Sequence, residues 1–169
     1  SGNDARLPNT TLFENPSNVI DMLVRERKEL DSQILSAIQT DPDFAARCET
    51  LTNIPGVGTL TAATVLSELP ELGSLNRAQA AALVGVAPYN RDSGAATGKR
   101  RIRGGRHRAR SSLYMATLVG IRYNPPIGDY FRHLKARGKP GMVAMVAAMR
   151  KLIIYMNALI RRHHGGHQQ

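Results

Sequence analysis

The residues best suited to chemistry lie between Tyr89 and Arg110, in "YNRDSGAATGKRRIRGGRHRAR". A single serine, Ser93, is followed there by Lys99, Arg100, Arg101, Arg103, Arg106, Arg108 and Arg110, interleaved with Gly98, Gly104 and Gly105. A hydroxyl becomes a useful nucleophile when a base, a metal or a positive environment lowers the cost of its alkoxide, and this stretch supplies the last of these. Guanidinium forks on a glycine-bearing chain can reach successive phosphates, so the cluster reads as a phosphate-contacting surface. Seven cations with no anion among them repel one another until something negative comes near. On residue types alone, Asp92, Ser93 and Gly94 equally make an ordinary turn, because all three are turn formers for conformational reasons.

A second candidate is "IPGVGTLTA", Ile54 to Ala62. Gly56 and Gly58 allow a sharp turn at the head of a helix, whose free amides can hold a phosphate oxygen, as a helix-hairpin-helix does without reading bases. A plain turn between helices uses the same glycines for geometry alone. Metal chemistry finds no support: His163, His164 and His167 lie in a polar tail, and no Cys/His spacing resembles a zinc site. Glu68, Glu71 and Asp92 are too few for a two-metal nuclease centre, so no metal ligand is assigned.

These residues must be positioned by helices. From Ser17, a candidate N-cap, to Thr40, the apolar residues Ile20, Leu23, Leu30, Ile34 and Ile38 recur at helical spacing around "RERKEL", which predicts one long amphipathic helix. Arg27 falls on its stripe, leaving a two-stranded coiled coil and packing on the domain core both open. "DPDFAARCETLTNIPGVGTLTAATVLSEL" predicts two helices joined by the Gly-x-Gly turn, and "LNRAQAAALVG" a short helix stopped by Gly85. The segment from Val86 to Gly105 reads as a loop, with room for a small β-hairpin. A helix is expected from Arg106 to Tyr123, ended by Pro125 and Pro126, then a helical segment over 127–137 and a last helix from Met142 to Arg162 with Val143, Val146, Met149, Ile153 and Met156 inward. The fold class is therefore mainly α. It is organised as an extended lead-in over 1–16, a linker helix over 17–43, a domain over 44–162 and a flexible tail over 163–169.

Composition bounds the partners. The 169 residues are 42% hydrophobic, enough for a core. Residues 1–92 hold 7 Lys/Arg against 12 Asp/Glu, and residues 93–169 hold 16 against Asp129 alone, so the halves carry −5 and +15. Such polarity attracts a polyanion. The apolar runs Met142–Met149 and Leu152–Ile160, split by Arg150 and Lys151, are each too short for a bilayer, so nucleic acid is expected as the polyanion and no membrane. Lone Cys48 is read as a small buried residue, which fits a reducing cytoplasm. The opening "SGN" looks like a cloning scar, and the chain is read as an excised fragment.

Taken in order, "IPGVGTLTAATVLSELPELGSLNRAQAAALVGVAPYNRDSG", "GKRRIRGGRHRARSSLYMATL" and "GKPGMVAMVAAMRKLIIYMNALIRR" resemble the C-terminal transposase domain of DEDD-type insertion-sequence elements, the IS-one-ten and IS-one-sixteen group related to the Piv invertases. The resemblance covers about residues 45–162, and the preceding helix is similar to the family's linker to an N-terminal RuvC-like domain. It implies DNA recombination and transposition, with Ser93, the serine of the "APxxxxSG" segment, as nucleophile and a phosphoserine intermediate. It implies Mg²⁺ held by the RuvC-like domain, which this chain lacks, with no cofactor in the fragment. It implies multimeric complexes, homo-oligomers of the full-length protein, and an element-encoded guide RNA as a further partner. The alternative from another class is a non-enzymatic helix-hairpin-helix adaptor that needs Gly56, Gly58 and the arginines but not Ser93.

Overall fold

The computed structural model describes residues 16–87 and 105–166. Among them the chain is wholly helical: α1 Pro16–Gln39, α2 Pro42–Thr52, α3 Thr59–Glu68, α4 Arg77–Leu83, α5 Gly105–Tyr123, α6 Pro125–Ala136 and α7 Gly141–Gly166. The mainly α expectation holds. The basic loop or β-hairpin expected before α5 falls on residues 88–104 and lies outside the described residues.

Two compact units divide at Thr40. The first is carried by α1. The described helix already contains Pro16 and Ser17, so Ser17 is a helical residue rather than its N-cap. Of the expected stripe, Ile20, Leu23, Leu30 and Ile34 are exposed, while Ile38 near the helix end is buried.

In the second unit, local sequence sets the ends of most helices. Asp41 caps α2, its Oδ1 accepting the Phe44 N–H at 3.1 Å, with Pro42 in the first turn where no amide bond is lost. Asn76 and Gln79 make a reciprocal capping box at α4, each side chain accepting the other's backbone N–H at 2.9 Å. Pro125 and Pro126 end α5 and also open α6, since a proline removes a bond from a helix interior but costs none in a first turn.

The core gathers on α7, which packs against α2, α4, α5 and α6, while α3 packs between α2 and α5. Leu51, Val65, Leu66, Leu69, Leu113, Leu152, Ile153 and Met156 are fully buried. The inward face of α7 differs from the one expected: Ala144, Met145, Ala148 and Leu152 join Met149, Ile153 and Met156 inside, while Val143 is half exposed and Val146 only partly covered. A helix apolar on nearly every side does not announce its buried face, and here small alanines let the neighbouring helices come close. Taken whole, Gly141–Gly165 is long and apolar enough to cross a bilayer, yet half of its most apolar 18-residue window is buried, the pattern of a core helix. The helix also runs past Arg162 through His163 and His164, and His163 Nδ1 lies 3.3 Å from the Thr50 hydroxyl.

Polar bonds tie α7 to the connection before α4. Asn157, buried, accepts the Gly73 N–H at 2.8 Å and donates to the Leu75 carbonyl at 2.7 Å. Arg161 donates to the carbonyls of Gly73, at 3.0 Å, and Leu75.

Candidate nucleic-acid interface

The Gly-x-Gly turn joins α2 to α3, and its two glycines meet different surroundings. Gly56 has φ +99°, and a Cβ there would stand 2.8 Å from the Gly120 nitrogen and 2.9 Å from the Ala116 carbonyl. Glycine is required at this position by backbone conformation and by close approach to α5 together. Asn124 reinforces the approach by donating from Nδ2 to the Pro55 carbonyl at 3.3 Å. Gly58 is exposed, has an ordinary extended backbone, φ −85° and ψ 168°, and would meet nothing within 4 Å through a Cβ. It is the N-cap of α3 and offers no side-chain bond, so the first amides of α3 are left to water or to an anion.

Of the expected cations, Arg106, Arg108 and Arg110 stand exposed on the first turns of α5. Helical spacing puts Arg106 and Arg110 on one face and turns Arg108 away from it. Arg110 is anchored: Nη1 donates to the Gly85 carbonyl at 2.6 Å, at the end of α4. Ser93, Lys99, Arg100, Arg101 and Arg103 lie outside the described residues. Helix α5 thus carries arginines at its start and supports the glycine turn near Ala116 and Gly120, roughly 15 Å further along its axis at the helical rise.

Sequence order concealed a third feature. Beside Gly85–Ala87 an open cavity of about 470 Å³ is bounded by Arg110, Tyr130, Met142, Val143, Val146 and Arg150. A neighbouring depression shares Tyr130 and Arg150 and adds Arg77 and Lys151. Lys151 Nζ sits 4.8 Å from the centre of the Tyr130 ring and donates to the Pro126 carbonyl at 2.8 Å. Its cations come from α4, α5 and α7, remote in sequence, so no local pattern marks them. The signal available was the exposed side of α7, where Arg150 and Lys151 interrupt two apolar runs.

Among the described residues no three His, Cys, Asp or Glu side chains converge, and they do not fit a Mg²⁺ centre. Cys48 is buried, and burial raises its thiol pKa above the ordinary value, partly opposed by the charge of Arg47. Burial of this kind disfavours the thiolate, the reactive form of a cysteine.

Comparison with known proteins bears on this arrangement. Residues 48–132 match the family described as Transposase IS116/IS110/IS902. The chain is 30% identical over 139 residues to the pilin gene-inverting protein of Moraxella bovis, covering 80% of this chain and 43% of that protein. It is 28% identical over 138 residues to a 43.6 kDa protein of insertion element IS110 from Streptomyces coelicolor, covering 80% and 33%. A 42 kDa protein of element IS900 from Mycobacterium paratuberculosis is 28% identical over 158 residues, covering 87% and 38%. The chain therefore spans less than half the length of these relatives.

Proposed function

The chain belongs to the IS116/IS110/IS902 transposase family, and from that premise we propose that it is the DNA-binding and catalytic-serine portion of a transposase or site-specific recombinase. The observation that carries the reading is that the family match, residues 48–132, spans the glycine turn, Ser93 and the basic run together. A pilin gene-inverting protein among the relatives is consistent with a reaction that cuts and rejoins DNA in a new order.

In the proposed chemistry, Ser93 Oγ loses its proton and attacks a DNA phosphorus. A phosphoserine ester forms as the P–O bond to one strand end breaks, and that end leaves as a hydroxyl. A strand hydroxyl then attacks the phosphoserine, restoring the diester and returning the serine. Lys99, Arg100, Arg101 and Arg103 orient the phosphate and offset charge on the pentacoordinate transition state. Arg106, Arg108 and Arg110 hold flanking phosphates, while the amides behind Gly58 take a further one. Mg²⁺, held by a RuvC-like domain preceding this region in the full-length protein, would supply metal-assisted activation of the reacting phosphate.

Partners follow from the same reading: DNA, further copies of the full-length protein, and an element-encoded guide RNA, with the complex acting in the cytoplasm. The apolar residues Ile20, Leu23, Leu30 and Ile34, recurring at helical spacing on α1, support self-association.

The test is Ser93→Ala in the full-length protein. Strand cleavage is expected to disappear while DNA affinity and thermal stability stay near the parent's. Cleavage at the parent's rate would remove Ser93 from the chemistry and leave the non-enzymatic adaptor as the better reading.

A further inference from the structure

The groove along the outer side of α7 combines three properties, of which the proposed reaction uses only the charge of Arg110. Its floor is apolar and open to solvent: Met142 is 64% and Val143 51% exposed, although α7 is otherwise a core helix. Its cations, Arg77, Arg110, Arg150 and Lys151, come from three helices, and the residues bounding the groove include no acid. Two of them are held in place without being neutralised, Arg110 by the Gly85 carbonyl and Lys151 by the Pro126 carbonyl beside the Tyr130 ring. The ion pairs among the described residues, Arg27 with Asp31 and Arg132 with Asp129, involve none of the four.

We propose that this groove seats an unpaired nucleotide strand, with one unstacked base in the apolar cavity and the flanking phosphates on Arg77, Arg110, Arg150 and Lys151. The cavity is of the size that takes a small planar ligand. A duplex keeps its bases stacked and cannot use an apolar floor, whereas an unpaired strand offers both a base face and a charged backbone. A neutral protein surface would leave the four uncompensated cations unused, and a lipid headgroup would leave the floor unused. The groove wall at Ala87 is also a few residues before Ser93 in the chain, so a strand held here is tethered close in sequence to the proposed nucleophile. The inference rests on the nucleic-acid reading above and adds a second, strand-selective contact surface to it.

The test uses the full 169-residue chain and fluorescent unpaired oligonucleotides, one DNA and one RNA of matched sequence, beside a duplex control. The variants are Val143→Glu, at an exposed position, and the double variant Arg77→Ala/Arg150→Ala, with circular dichroism as the check on folding. Each is expected to lose about tenfold in affinity for the unpaired strand and far less for duplex, and the double variant to flatten the salt slope by about 1.4. The DNA and RNA arms show which backbone the groove prefers. Photo-crosslinking of iodouracil-bearing strands to the parent chain should map to peptides containing Tyr130 or residues 142–150, a readout that stands even if a variant fails to fold. Parent-like affinity in folded variants, equal losses for duplex and strand, or crosslinks confined to other peptides would each overturn the inference while leaving the recombinase reading intact. Failure of the parent chain to bind any of the three nucleic acids would instead strike at the recombinase reading itself.

Discussion

Gly56 and Gly58 sit two positions apart and divide the work of one turn, which makes them separable by substitution. Gly56→Ala must place a Cβ against the α5 backbone at positive φ, with no flexible side chain able to give way. A loss of about 2–4 kcal/mol is expected from backbone strain and displaced packing, read as a lowered denaturant midpoint. Gly58→Asp meets open space and an extended backbone, so it should act as a better N-cap and stabilise the protein by about 0.3 kcal/mol. The same carboxylate would occupy the amides behind it and repel a phosphate, so nucleic-acid affinity should fall as stability rises. Unchanged affinity in a stabilised Gly58→Asp protein would restrict the turn to a structural role. Both glycines were legible in the sequence as turn residues. Their division was not, because it depends on Gly120 and Ala116, which come within reach only through the packing of α5.

At the scale of elements, the helices with strong local signals were readable: Asp41 before Pro42, Asn76 before Gln79, and the paired prolines after Tyr123 all mark boundaries by local chemistry. The buried face of α7 was not, since Met142 to Ile160 is apolar on nearly every side and the choice between Val143 and Ala144 is made by the partner helices. The groove was hidden for the same reason, as its cations lie on α4, α5 and α7. Asn157 shows how α7 then organises a distant segment. Its two bonds to Gly73 and Leu75 bridge more than eighty residues of sequence. Asn157→Ala would leave a buried N–H without its partner and weaken the support for the start of α4, with an expected cost of about 2–3 kcal/mol in thermal or urea unfolding. A change within about 0.5 kcal/mol would show that Arg161 alone holds the connection.

For the whole molecule, charge is divided sharply along the chain: −5 over residues 1–92 and +15 over residues 93–169. It was fully visible in the sequence, as was the family resemblance later met by the match over residues 48–132. If about five phosphates are neutralised, log affinity for duplex DNA should fall against log salt with a slope of about −4 to −5. A flat response would remove the electrostatic basis of binding. The proposed chemistry, however, is covalent rather than electrostatic. Its most direct measurement is mass spectrometry of the full-length protein trapped on its DNA substrate and digested to peptides. A nucleotide linked through phosphate to the peptide bearing Ser93 is expected, lost in Ser93→Ala; an adduct mapped to Ser111 or Ser112, or cleavage with no protein-DNA linkage at all, would overturn the assignment of Ser93 as nucleophile.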